Sequence, residues 1–124
     1  MHVSHLMLLA KTACPSVSSR IQSRLENRVV RTADFDQWLA RLKDLRGKAR
    51  IIERIRSVER GNVGDCASVG SGVSEMRVHS GPGYRIYFCR TGDVVYVLLC
   101  GGTKREQRRD IIKARAMAQR LLRS

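Results

Sequence analysis

Val73-Ser-Glu-Met-Arg-Val-His79, Ser80-Gly-Pro-Gly83 and Tyr84-Arg-Ile-Tyr-Phe-Cys-Arg90 form the stretch on which the rest of the chain is organised. Two alternating runs flank a Gly/Pro turn, the signature of an antiparallel hairpin. In the first run Met76 and Val78 share one face, and Glu75, Arg77 and His79 share the other. In the second, Tyr84, Ile86 and Phe88 alternate with Arg85 and Tyr87. One face is therefore a core face and the other carries cations. An odd number of residues in the connection puts Arg77, His79, Arg85 and Tyr87 on the same side, a cationic platform suited to a phosphate chain.

Working outward, a third strand is expected over Val94-Val-Tyr-Val-Leu-Leu-Cys100, apolar on both faces and hence central. Gly101-Gly102 ends it, and Thr103 with Glu106 spells a T-x-x-E capping box for a last helix from Lys104 to about residue 122. Ile111, Ala114, Ala118 and Leu121 line one side of that helix. Its first turns hold Lys104, Arg105, Arg108 and Arg109. Cations at a helix N-terminus oppose the macrodipole, whereas a phosphate bound there is favoured by dipole and side chains together.

Upstream of the hairpin, residues 61–72 carry four glycines in twelve residues and read as a loop. They lack the Lys-Ser/Thr ending of a P-loop and the preceding strand of a dinucleotide fingerprint, so the glycines are turn chemistry. Before them, Phe35, Trp38, Leu39, Leu42 and Leu45 recur at helical spacing, with Thr32 or Asp34 as the cap. Gly47 breaks that run. A second amphipathic helix carries Ile51, Ile52, Ile55 and Val58 to a stop at Gly61, with Lys48, Arg50, Arg54, Arg56 and Arg60 on a solvated outer face. The two form a helical hairpin, preceded by a short strand over residues 27–32. Trp38 is expected to be a core anchor and not a base-stacking residue.

The chain of 124 residues is long enough for one domain with a real core. Its 24 Lys and Arg against 11 Asp and Glu give a formal charge of +13, which favours a polyanionic partner: nucleic acid, ribosome, anionic membrane or an acidic protein. Cys14, Cys66, Cys89 and Cys100 form no C-x-x-C pair and have no His at zinc-finger spacing, so they read as buried thiols in a reducing, cytoplasmic compartment, with no structural metal. A tight turn at 91–93 sets Cys89 opposite about residue 95 and away from Cys100. Residues 1–26 stand apart as a poorly ordered extension, or as translation from a start upstream of the true one. The apolar run from Leu6 to Ala10 is too short for a signal peptide or a membrane span.

Four linked motifs in order resemble one family. Gly-Asn-x-Gly-Asp at 61–65, Val69-Gly-x-Gly-Val-Ser-Glu-x-Arg77, Gly81-Pro-Gly-Tyr-Arg-x-Tyr87 and Leu98-Leu-x-Gly-Gly-x-Lys104-x-x-Gln107-x-x-Asp-Ile111 are similar to the phage-derived HigB-like toxins of the RelE/ParE superfamily, the addiction-module killer proteins. The similarity covers about residues 27–123, within a domain of 27–124. It implies an α+β, RelE-like fold of order β-α-α-β-β-β-α, with a small antiparallel-rich sheet packed on the helical hairpin and the C-terminal helix. It also implies the toxin of a type II toxin-antitoxin system: a ribosome-dependent messenger-RNA endonuclease that needs no metal or cofactor, inhibits translation and arrests growth. The antitoxin encoded beside it is expected to be a small helix-turn-helix protein with an acidic contact surface, and operator DNA is reached only through their complex.

By position, the cations that hold the transcript in relatives fall at Arg77, Arg85 and the Lys104-Arg105 pair. In metal-free cleavage the 2′-hydroxyl attacks the adjacent phosphate in line, so the site must orient that phosphate, neutralise developing charge and move two protons. Arg85 and Arg77 suit bidentate clamping, and Lys104 or Arg105 adds charge stabilisation. Tyr84 or Tyr87 is available to stack on a base, and Arg108 to contact the RNA. A Tyr tied to catalysis early in the last helix of RelE is replaced here by Ile111. His79 is then the candidate general acid or base, or else an exposed strand-end histidine with no role. Two other readings stand beside the nuclease: a ParE-like gyrase inhibitor without enzymatic activity, and an inactive toxin homologue or RNA-binding module.

Overall fold

The computed structural model describes residues 27–92 and 95–123. The expectations for residues 1–26, Cys14 among them, lie outside that range. The chain runs β1 (Arg28–Arg31), α1 (Ala33–Arg41), α2 (Leu45–Glu59), β2 (Cys66–Gly70), β3 (Val73–Val78), β4 (Tyr84–Thr91), β5 (Val95–Thr103), a 3-10 turn (Lys104–Glu106) and α3 (Gln107–Arg123). The fold is α+β. Its five-stranded sheet has the order β1-β5-β4-β3-β2, with β1 parallel to β5 and every other pair antiparallel.

The hairpin forms as the alternation requires. Val78 pairs with Tyr84, Arg77 with Arg85 and Glu75 with Tyr87. The five-residue connection is odd, so Arg77 and Arg85 share a side. β5 is central, flanked by β1 and β4 and buried over most of its length.

Each face of the sheet has its own core. On one, Met76, Val78, Tyr84, Ile86, Phe88, Tyr96 and Leu98 meet Phe35 and Leu39 of α1 and Ile51, Ile55 and Val58 of α2. On the other, Val73, Tyr87, Cys89, Val95, Val97, Leu99 and Cys100 meet Ala114 and Ala118 of α3, with Ile111 and Leu121 partly buried beside them. The small residues of α3 let the helix lie close against the strands. A register shift between Tyr87 and Phe88 sets Tyr87 against Cys100 but Phe88 against Leu98. That bulge brings two consecutive β5 residues, Leu99 and Cys100, into the same core.

Several expectations are corrected. Residues 61–72 are not all loop: Cys66–Gly70 is an edge strand, which makes the order β-α-α-β-β-β-β-α. Its Cys-Ala-Ser-Val-Gly sequence is half exposed and has no strong alternation to read, while the flanking glycines dominate. Ser71 and Gly72, both at positive φ (56° and 78°), make its turn into β3.

The two helices divide earlier than Gly47. α1 ends at Arg41, and Asp44 caps α2 by accepting from the Gly47 amide at 3.0 Å. Leu45 is consequently 75 % exposed at the first position of α2 and lies off the α1 stripe. Gly47 is required by proximity: an added Cβ would sit 2.5 Å from Tyr84 Cε2. At the other helix, Thr32 is the cap of α1, accepting from Phe35 N at 3.1 Å.

The Thr103 capping box does not close on the backbone. Thr103 Oγ1 donates to Glu106 Oε1 at 3.4 Å, and the 3-10 turn intervenes before α3 begins at Gln107. Arg54 does not belong to a solvated face. It donates to the carbonyls of Arg77 and Val63, the latter at 2.9 Å, tying α2 to the segment before β2. Cys66 is exposed, in contrast to the buried thiols Cys89 and Cys100. Cys89 faces Val97, two residues later than anticipated, and both buried cysteines are free. Among the described residues no helix is long and apolar enough to cross a membrane.

Candidate functional site

Three strands carry the core of the candidate site in register. Arg77 of β3 lies opposite Arg85 of β4, and Arg85 lies opposite Gly102 of β5. All three positions face the α3 side, toward the end of the sheet where α3 begins. Arg85 is only 9 % exposed, and its Nε has no hydrogen-bond partner. Its Nη ends keep contact with solvent, and among the described residues the guanidinium has no ion pair. A buried guanidinium normally has its donors satisfied, so an unpaired one is a costly arrangement that an anion relieves.

Arg77 is held. Its Nε donates to Glu75 Oε1 at 3.3 Å and its Nη1 lies 3.5 Å from Asp65 Oδ1. The second oxygen of Asp65 is 2.9 Å from Nε2 of His79, whose side chain is 74 % exposed. The hydrogen bond from His79, followed by the positive charges of Arg77 and Arg54, holds the Asp65 carboxyl below the usual carboxylate range despite some desolvation. His79 therefore sits beside Arg77 as one arm of a carboxylate-bridged pair. It also borders a groove of about 370 Å³ whose walls include Arg50 and Arg54 of α2 and Arg60 just after it.

On the far side of Arg85, Lys104 donates its amide to the Gly83 carbonyl at 2.8 Å. That bond docks the Lys104 turn against the hairpin turn and completes a second wall. Lys104, Arg105 and Arg108 are exposed, with no ion pair among the described residues. Arg105 and Arg108 line a shallow groove of about 480 Å³ with Glu106, Arg109 and Ile112. Arg109 is engaged by Glu106 at 3.4 Å and Asp110 at 3.6 Å.

The two tyrosines are placed otherwise than expected, and neither can stack on a base. Tyr84 is 3 % exposed in the helical-hairpin core, and its hydroxyl donates to Asp44 Oδ2 at 2.8 Å. Burial, then Asp44, pushes its ionisation up to about 12. Tyr87 is fully buried under α3 and donates to Glu75 Oε2 at 3.1 Å. Burial, then the Glu75 charge, moves its ionisation well above the ordinary tyrosine range. The alternation that aligned Tyr87 with the cations was right, but α3 covers that part of the face. Ile111 packs partly buried against the sheet.

Sequence reading passed over Asp65, Glu75, Gln107 and Asp110 as participants. Asp65, Glu75, Gln107 and Asp110 all occur in the quoted motifs, which was their visible signal. Asp110 is 5 % exposed, and burial raises its carboxyl above the usual value. Its Oδ2 has no partner and occupies the space beside Gly102, where an added Cβ would overlap it. No group of three His, Cys, Asp or Glu among the described residues is placed to hold a metal ion.

Comparison with known proteins identifies a relative in Haemophilus influenzae. The chain is 47 % identical over 90 residues to an uncharacterized protein of that organism, a match that spans 73 % of this chain and 91 % of the relative. The chain belongs to that protein's family. No family model matches the chain, and no solved structure does. Family membership thus rests on nearly the whole length of the Haemophilus protein, and the residues of the site stand on their geometry.

Proposed function

We propose that this protein is the toxin of a type II toxin-antitoxin system, of the RelE/ParE superfamily and HigB-like. In this reading it is a cytoplasmic endoribonuclease that cleaves messenger RNA on the ribosome and so stops translation. The α+β order is then a RelE-like fold with an additional edge strand, β2. The observation that carries the reading is Arg85: a guanidinium nine-tenths buried, unpaired, with its Nη ends open to solvent between Arg77 and the Lys104 turn. A phosphate of the transcript supplies the partner it lacks.

The residues divide the chemistry as follows. Arg85 and Arg77 orient the scissile phosphate and stabilise charge on its equatorial oxygens, and Lys104 adds to that stabilisation. Arg105 and Arg108 continue the cationic track. The 2′-oxygen bonds to phosphorus as the bond to the 5′-oxygen breaks. In this reading His79, which Asp65 holds, takes the 2′-hydroxyl proton, and the leaving 5′-oxygen gains a proton from solvent or from the ribosome. The partner that silences the site is an antitoxin with an acidic contact surface, matched to a charge of +13.

Induced expression of the full chain should arrest growth and generate new 5′ ends within transcripts, mapped by primer extension. Arg85→Ala combined with Lys104→Ala should abolish both effects while the protein still accumulates. Arrest with intact transcripts refutes the nuclease reading, and an SOS response in those cells points to gyrase instead. Salt-sensitive RNA binding without arrest or cleavage identifies a binding module.

A further inference from the structure

Glu75 and Gln107 are motif residues that the proposed chemistry leaves unused, and the structure joins them. Glu75 is fully buried. Its Oε1 receives Arg77 Nε at 3.3 Å, while its Oε2 receives the Tyr87 hydroxyl at 3.1 Å and Gln107 Nε2 at 2.6 Å. A buried carboxylate survives only when its acceptor positions are filled. Here they are filled from three elements: β3, β4 and the first residue of α3.

That geometry spans the site. Arg77 is one wall. Gln107 directly follows the Lys104–Glu106 turn, whose Lys104 amide is bonded to Gly83 and whose side chains form the other wall. Arg85 lies between them and makes no bond to Glu75. The carboxylate thus fixes both flanking groups and leaves the central guanidinium free.

We propose that Glu75 is the positioning residue of the RNA site, aiming Arg77 through Oε1 and seating the Lys104 turn through Gln107 at Oε2. This rests on the RNA-site reading given above. Glu75 touches no substrate. Its effect on binding passes through Arg77 and Lys104, so its removal should mimic their loss and add nothing to it. A purely architectural Glu75 would lower stability without that pattern.

The test uses the full chain, a fluorescently labelled oligouridylate as the RNA probe, and affinity measured across a salt series. Glu75→Gln keeps the side-chain volume but removes the charge and leaves one acceptor oxygen for three donors, so the bonds from Arg77, Tyr87 and Gln107 compete for it. Arg77→Ala should flatten the slope of log affinity against log salt by about 0.7, the value for one lost contact to single-stranded phosphate, and Glu75→Gln by up to about 1.4, because it loosens Arg77 and the Lys104 turn together. The double variant should flatten it no further than Glu75→Gln alone. In nitrogen-15 NMR the Arg77 Nε–H should exchange slowly in the wild type and fast in Glu75→Gln. A Glu75→Gln protein with wild-type slope and a protected Arg77 Nε–H overturns the proposal, whatever its melting temperature. So does a double variant whose loss is the sum of the two.

If Arg77→Ala and Arg85→Ala both leave the slope unchanged, the RNA reading fails. The Nε–H exchange then decides by itself whether Glu75 positions Arg77. Should Glu75→Gln not fold, Gln107→Met leaves the carboxylate and Arg77 in place and reads the second arm. It should flatten the slope as Lys104→Ala does, with no added effect in combination, and a wild-type slope overturns that arm.

Discussion

Gly101→Ala isolates the contact that seats β5, and with it the Lys104 turn, on the first helix. Gly101 pairs with Ile86 in the middle of the sheet, and its φ lies outside the left-handed region. A methyl there costs nothing in backbone geometry. By itself it would stabilise the protein by about 0.4–1 kcal/mol through the unfolded chain. The space is the obstacle: an added Cβ would overlap Trp38 Cε3 and Cζ3 and lie 2.8 Å from Cδ2. Carbon atoms pack at roughly 3.5–4.0 Å, so the indole must retreat by about 1 Å. It cannot retreat freely, because its ring lies 5.6 Å from Phe35 and 6.2 Å, edge-on, from Tyr84.

Overpacking of this kind costs about 1–3 kcal/mol. For a domain of this size a loss near ~2 kcal/mol lowers the melting temperature by on the order of 10 °C. Urea unfolding followed by circular dichroism measures the loss, and Trp38, the chain's single tryptophan, offers fluorescence as a second probe. The diagnostic is coupling with Trp38→Leu. In the double variant the new methyl occupies space that the indole has left, so the two losses should fall short of additivity by about 1 kcal/mol or more. A Gly101→Ala protein as stable as the wild type, or strictly additive losses, would refute the steric account.

Asp44 and Asp65 have carboxyls held below the usual carboxylate range, Asp44 chiefly by its bond from Gly47 and Asp65 by His79. A depressed carboxyl contributes stability that is complete above about pH 4 and lost as pH falls through the folded-state value. Asp44→Asn should therefore flatten the acid side of a stability-against-pH curve and leave the neutral side parallel. Asp110 has the opposite sign, because its carboxyl is raised by burial. Its contribution is present below pH 3.8 and lost as pH rises through the folded value, so Asp110→Asn should remove a decline with rising pH. In a Cys14→Ser background, a thiol reagent should modify Cys66 rapidly. Cys89 and Cys100, whose thiols burial pushes up to about 11, should react only on unfolding, and two fast equivalents would contradict their burial. Tyr87→Phe deletes a buried bond to a carboxylate and should cost about 1–3 kcal/mol in urea unfolding. An unchanged midpoint would mean that the hydroxyl contributes nothing.

What was legible in the chain follows from periodicity. Met76, Val78, Tyr84, Ile86 and Phe88 alternate, and strands have a period of two, so the β3/β4 hairpin and the shared side of Arg77 and Arg85 were readable before any contact was known. The both-faced apolarity of residues 94–100 marked a central strand for the same reason. The α2 stripe of Ile51, Ile55 and Val58 was equally readable, and all three are buried. β2 was hidden because an edge strand needs no apolar face and takes its order from β3. The break between α1 and α2 was misplaced because Gly47 resembles a stop. Its actual constraint is the Tyr84 ring, thirty-seven positions away along the chain.

Local sequence by itself determined which residues alternate, which helices have a stripe, and that a heavily cationic surface surrounds one hairpin. Only tertiary structure decided which of those side chains remain available. α3 lies over the sheet from Tyr87 onward and buries that tyrosine, but it begins too late along the chain to cover Arg85 completely. Tyr84 goes to Asp44 and Arg77 to Glu75 and Asp65, while Arg85 is left unpaired. The physical reason is that alternation assigns a side chain to a face, whereas burial and pairing depend on which distant element packs over that face.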